Sequence, residues 1–285
     1  MPRSGRLLPL ALLALLAAPA RAQTATPLSA GEKSVANFAF ATQLGSGIYT
    51  IDGRTIQIYR LPLSYTIRAE TEARWGLRIT FPMTIGFYDF EPMDVLDTGL
   101  PDNLDTVSLV PGLEFRVPAR KNLLLKPFFE AGVAREGSQD LAVAIYSFGL
   151  RTFAGFQSGR FDIDLGNGIL WSRIDPEGDH LSDAFGSFQT SAHARHLMGV
   201  RLASHELEWG LYGSAEVYLD EPDFPLPNPD GDVSAQYEVG ATIGAREPYK
   251  IWKIKLPKLG IGYRFGPGTD AVRFVIGTPT PVLKR

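Results

Sequence analysis

Between Trp75 and Phe87 every odd position is large and apolar, and the positions between them are Gly76, Arg78, Thr80, Pro82, Thr84 and Gly86. A two-residue period means an extended chain with one apolar face, because successive side chains of a strand point to opposite sides. The beat recurs along the chain. Val107, Leu109, Leu113, Phe115 and Val117 oppose Ser108, Glu114 and Arg116, and Leu123, Leu125, Phe129, Ala131 and Val133 alternate with Lys126 and Glu130. Leu207, Trp209, Leu211, Ala215 and Val217 alternate with Glu206, Glu208, Tyr212, Ser214 and Glu216. The pattern predicts twelve strands, at 35–45, 54–68, 73–88, 106–118, 122–135, 140–156, 159–172, 185–203, 205–220, 232–246, 256–266 and 270–279. The expected fold class is all-β, a closed antiparallel transmembrane β-barrel of twelve strands.

A soluble sandwich also alternates, but its strands run about five or six residues and converge on a core about 10 Å thick. Here the apolar faces are much longer, and aromatics mark several of their ends: Trp75, Phe87, Tyr88, Trp171, Trp209, Tyr263 and Phe265. That matches interfacial girdles around an apolar band about 25 Å tall. The connections sort by length as well. Gln157-Ser158-Gly159 and Ala203-Ser204-His205 are short, whereas 89–105, 173–184 and 221–231 are long, the outer-membrane arrangement of short periplasmic turns and longer outer loops. Two connections break the rule: 246–255 is long on the short side, and Gly266–Thr269 is tight on the long side.

Proline argues the other way. Pro62, Pro82, Pro111 and Pro127 fall inside four consecutive expected strands, and a closed barrel has no edge where a missing N–H goes unnoticed. The apolar phase switches from Ile56 and Ile58 to Leu61, Leu63, Tyr65 and Ile67, so a bulge beside Pro62 is expected.

The first residues add an address. Arg3 and Arg6 precede an apolar run from Leu7 to Ala18 and then Ala20-Arg21-Ala22, which reads as a secretory signal cleaved before Gln23. The organisation expected is therefore signal peptide 1–22, a short N-terminal segment 23–33, the barrel 34–280 and a tail 281–285. No later apolar run reaches the roughly 18 residues that a helical span needs. The chain contains no cysteine, so disulfides and thiolate metal sites are excluded. A net charge of −3 conceals opposed ends. Asp89, Glu91, Asp94, Asp175, Glu177, Asp179, Glu221, Asp223 and Asp230 crowd the long loops, while Arg68, Arg74, Arg120, Lys121, Arg160 and Lys250 lie at the other end. Acidic loops keep a surface solvated; they could also bridge through divalent cations to lipopolysaccharide phosphates. No basic patch with interleaved aromatics suggests nucleic acid.

The polar phase of the strands carries the functional signal. Arg78, Glu114, Arg116, Lys126, Glu130, Asp162, Asp164, Glu206, Glu208, Glu216, Glu238, Lys258, Arg264 and Arg273, with His193, Arg195 and Arg201, are expected to project into one lumen. They define either a narrow selective pore or an interior closed by ion pairs; the mixed signs and the narrow bore of twelve strands favour closure.

The motifs ANFAFATQLGSGIYT, KPFFEAGVARE and LGIGYRFGPGTDAVRFVIGTPT, in a twelve-stranded array directly after a signal peptide, resemble the solitary outer-membrane autotransporter-type barrels of Gram-negative bacteria. The resemblance implies outer-membrane lipids, lipopolysaccharide and the barrel assembly machinery as partners, with no cofactor. Only QTATPLSAGEK separates the cleavage site from the first expected strand, so no passenger is expected. Barrels of this kind usually finish on an aromatic, where this chain has Thr278 and Thr280. An alternative is a barrel-embedded lipid hydrolase: His180-Leu181-Ser182 is similar to the His-x-Ser of outer-membrane phospholipase A, but the asparagine expected about twelve residues on is absent, position 194 being Ala. His193 and His196 face opposite sides of one strand and cannot share a metal. No catalytic or metal site is expected.

Overall fold

The computed structural model describes residues 46–51, 54–88, 106–136, 141–176, 183–202, 205–220, 235–247, 250–251, 254–255, 257–267 and 269–283. The expected signal peptide, the 23–33 segment and the strand expected at 35–45 lie outside the described residues, as do His180, Ser182 and nearly all the acidic loop residues. Fifteen strands follow one another among the described residues: β1 Gly47–Ile51, β2 Arg54–Arg68, β3 Gly76–Tyr88, β4 Thr106–Leu109, β5 Gly112–Arg120, β6 Leu123–Glu136, β7 Leu141–Ser158, β8 Phe161–Pro176, β9 Asp183–Leu202, β10 His205–Asp220, β11 Ala235–Ala245, β12 Lys250–Ile251, β13 Ile254–Lys255, β14 Leu259–Gly266 and β15 Thr269–Ile276.

These strands form a closed antiparallel barrel with twelve wall positions. Each wall strand pairs with its chain neighbours, and β1 pairs with β15 at Tyr49↔Ala271, which shuts the sheet on itself. β4 and β5 are two pieces of one wall position, both lying between β3 and β6. β12 and β13 form a separate small hairpin, so the long connection on the short-turn side is itself folded. The only helical element among the described residues is a 3-10 turn at Pro281–Leu283.

Burial along the wall is inverted relative to a soluble protein. Leu63 is 55% exposed, Tyr65 68% and Val239 54%, whereas Arg116 is 1% exposed, Lys126 0% and Glu238 1%. Charges are almost never buried unless paired, and large exposed apolar area marks a surface meant for something other than water. The outward faces supply that area on every side of the cylinder.

The bulge expected at Pro62 is absent. β2 and β3 stay in continuous register from Ile56↔Tyr88 through Pro62↔Pro82 to Thr66↔Arg78. Both groups of one residue in an antiparallel strand point to the same neighbour. Val110 N donates to Pro82 O at 3.2 Å, so position 82 faces β4–β5, and the Pro62/Pro82 pair requires no hydrogen bond between β2 and β3. With no bulge, the apolar phase switch means that Ile58 points inward, where it is fully buried. Pro111 is likewise in register, between Leu109↔Val133 and Gly112↔Glu130, and its carbonyl accepts from Ala131 N at 2.9 Å. The clearest interruption lies elsewhere. Glu206↔Arg201 is followed by Glu208↔Leu197, so β9 carries extra residues around Gly199, whose φ is 71°. Glycine suits that left-handed backbone.

The last strand also ends earlier than the alternation suggests. β15 stops at Ile276, and Gly277, at φ 97°, reverses the chain instead of prolonging the strand to 279. From there the chain turns into the barrel.

A charged lumen and the segment that closes it

Inward positions of the wall place the charged side chains in three linked groups. On β3, β5, β6 and β7, Arg116 donates to Glu114 at 2.9 Å and to Glu70 at 2.8 and 2.9 Å. Arg78 lies 3.6 Å from Glu114, and Arg151 reaches Glu130 at 3.5 Å while stacking 3.5 Å above the Phe128 ring. On β8, β9, β10 and just before β14, Arg195 bridges Asp164 at 2.8 Å and Glu208 at 3.2 Å, and Lys258 also pairs with Glu208. On β10, β11, β14 and β15, Glu238 receives Arg264 at 3.2 Å, Arg273, and the Tyr212 hydroxyl at 2.7 Å. Arg264 also contacts Glu216, which accepts from Ser187 at 3.0 Å. A charge removed from water is tolerated when it is paired, and these clusters pair their charges from several strands at once, although Arg195 keeps a buried Nε with no hydrogen-bond partner among the described residues.

Glycines make room for the larger members. A Cβ on Gly262 would come within 2.1 Å of the Tyr212 hydroxyl and one on Gly240 within 2.6 Å of its ring, so the tyrosine lies flat across two neighbouring strands to reach Glu238. Phe128 lies over Gly149 in the same way, 2.9 Å from where its Cβ would be.

The structure places Arg78, Glu114, Arg116, Lys126, Glu130, Asp164, Glu208, Glu216, Glu238, Lys258, Arg264 and Arg273 on the inner face, buried or half-buried. Three residues assigned to the lumen, Glu206, Arg201 and Asp162, lie at its rim. Glu206 sits one residue after the start of β10, where its side chain is 43% exposed and pairs with exposed Arg201 at the rim. Asp162 lies at the same mouth, paired with Arg246 at 3.2 Å. His193 is buried inside, 2.9 Å from the Thr242 hydroxyl, whereas His196 faces outward between Phe161 and Trp209. Among the aromatics, Trp75, Trp171, Trp209, Tyr263 and Phe265 are exposed on the outer face. Phe87 is not: it is 8% exposed, packed edge-on to Tyr59 at 6.1 Å, because the Tyr59 ring covers it near the strand end. The side chain of Tyr88 lies outside the described residues.

Sequence reading passed over Arg60 and Arg151, whose inward phase was there to be read, and Asn167, a polar residue on the outer phase of β8. Asn167 accepts from Thr190 at 2.9 Å and donates to Thr152 at 3.5 Å, a short polar strip on an otherwise apolar face. It passed over the closing element entirely. After Gly277, residues 278–283 run into the lumen and seat Val282 and Leu283, each 2% exposed, against β7, β8 and β9. Lys126 Nζ donates to Val282 O at 3.2 Å. A Cβ on Gly166 would stand 2.7 Å from that carbonyl oxygen, and one on Gly168 would stand 2.8 Å from the valine side chain, so only glycine leaves this seat open. Beside the segment lie two cavities of about 50 and 110 Å³, both lined by Arg60, Arg151, Arg273 and Pro281, the second also reaching Leu63 and Phe274 of the outer face. A wider recess of about 800 Å³ at the short-turn mouth is bounded by Glu70, Arg120 and Phe153.

With that geometry in view, one solved structure can be set beside the chain. The β domain of the Bordetella autotransporter Brka is similar at a TM-score of 0.46 and 10% identity, over 80% of this chain and 93% of that one. No family model matches the chain, and no curated protein matches it either.

Proposed function

We propose that the protein is an outer-membrane β-barrel, exported by its first 22 residues, whose resting lumen is closed and whose role at rest is that of a structural wall element. The single observation that carries this is the inverted burial: outward apolar side chains around the full cylinder, and ion pairs inside. Backbone groups can all be satisfied in hydrocarbon only when a sheet has no free edge, which the β1–β15 seam provides. Its lipid partners are outer-membrane lipids and lipopolysaccharide, and insertion falls to the barrel assembly machinery. The lipid-hydrolase alternative rests on His180 and Ser182, which lie outside the described residues.

The test is reconstitution. The full mature chain, refolded into phosphatidylcholine vesicles, is expected to run as a compact, heat-modifiable band, to resist protease along the wall, and to give no conductance steps in a planar bilayer. A chain that remained soluble and failed to partition into vesicles would remove the barrel reading. Stable steps from the inserted wild type would replace the closed lumen with an open channel.

A further inference from the structure

We propose that the segment Gly277–Leu283 is a gate, and that the path it closes passes small anions. This rests on the outer-membrane reading above and adds a transported class and a moving part to it.

The seat has the features of a detachable contact. Among the described residues the segment continues from the wall at Gly277, whose N–H donates to Lys258 O at 2.7 Å and whose φ of 97° makes the reversal. Inside, it is held by burial of Val282 and Leu283 and by the Lys126 contact to one backbone carbonyl. Among the described residues it forms no strand with the wall and adds no ion pair. The Thr280 hydroxyl is buried, at 1% exposure for the residue, with no hydrogen-bond partner among the described residues. A buried hydroxyl without a partner opposes the seated state, and leaving the lumen returns it to water. Gly166 and Gly168 are wall positions whose missing side chains serve the plug, since Val282 occupies the space that they leave.

The solute class is set by the walls that the segment would vacate. The cavity against Pro281 and Val282 has five charged side chains on its walls, four of them arginines, Arg60, Arg151, Arg264 and Arg273, against Glu216. The adjoining cavity adds Glu114 and Glu130, so the two walls together carry four arginines against three glutamates, with Arg151 paired to Glu130 and both Arg264 and Arg273 paired to Glu238. Lys126, once Val282 O departs, adds a further cation facing the same space. Rings of arginine and lysine favour anions in a narrow pore.

Two gate-open variants test this in planar bilayers: the chain ended after Gly277, and the full chain with Gly166→Leu and Gly168→Leu, which fill the seat. Each is first checked for a heat-modifiable band. Folded variants are expected to show conductance steps where the wild type shows none, and in a KCl gradient the current should reverse on the chloride side. Folded variants that stay silent overturn the gate while leaving the barrel standing, and reversal on the potassium side overturns the anion assignment. A third arm needs no eviction. The chain has no cysteine, so Gly168→Cys with Val282→Cys creates a unique pair. In vesicles this pair is expected to form an intramolecular disulfide; a pair that remains reduced under oxidant overturns the seating itself.

Discussion

Glu70 sits in the turn between β2 and β3, and Arg116 reaches it from the inner face of β5. Arg116 Nη2 and Nε donate to its carboxylate, at 2.8 and 2.9 Å, which holds the Glu70 carboxyl well below its ordinary 4.5, at about 2. The folded value lies below the unfolded one, so the pair stabilises fully above pH 4.5 and its contribution is lost as pH falls through about 2. Wild type is therefore expected to melt above Glu70→Gln at pH 7, with the gap closing between pH 4.5 and 2; a gap that persisted at pH 2 would place the effect elsewhere. Half of this pair was legible in the sequence. Arg116 stands on the polar phase of a clear strand, whereas Glu70 lies in a turn, where periodicity says nothing, and its partner is 46 residues away.

At the scale of the strand, period and phase determined most of what could be read. The inward charges of β5, β6, β10, β11 and β14 follow directly from alternation, because a one-residue step moves every side chain to the other face. The failures occur where that rule meets backbone chemistry. Pro62 and Pro82 oppose one another without a bulge, since their shared position demands no bond between β2 and β3. β9 does carry extra residues at Gly199, which no proline announced. Phe129, at the middle of β6 and 52% exposed, is the sharpest test of what the outer face meets. Phe129→Arg is expected to destabilise the vesicle-folded protein by about 2–4 kcal/mol, the cost of a cation near the bilayer midplane. The comparison is Leu219→Arg, near the end of β10, where about 0–1 kcal/mol is expected. Urea unfolding from vesicles measures both. Equal and negligible costs would mean that the apolar face lies in water.

On the scale of the whole molecule, the barrel has two boundaries, one at its apolar outer face and one inside, and the sequence describes only the first. Outward aromatics repeat with the strands, so the outer surface can be read from spacing. The lumen cannot, because Val282 is seated by glycines more than a hundred positions earlier, and a segment without periodicity gives no hint of that meeting. The outer boundary supplies the remaining test. Trp75 lies at the short-turn end, tilted against Phe115 with its ring 3.1 Å beneath the Arg68 guanidinium, and Trp209 lies at the same end beside Phe161 and His196. Trp171 stands toward the opposite end, in register with Gly186. Amphipathic rings in two such belts belong at the headgroup level of a bilayer. In a Trp252→Phe background, which removes the fourth tryptophan, emission from the vesicle-folded protein is expected to be quenched more by lipids brominated near the carbonyl end of the chain than by lipids brominated near its terminus. Aqueous iodide is expected to quench it weakly. Strong iodide quenching with no response to brominated lipid would mean that the rings face water. Stronger quenching from the chain terminus would place the three rings at mid-bilayer, and the two-belt registration of the cylinder would have to be abandoned.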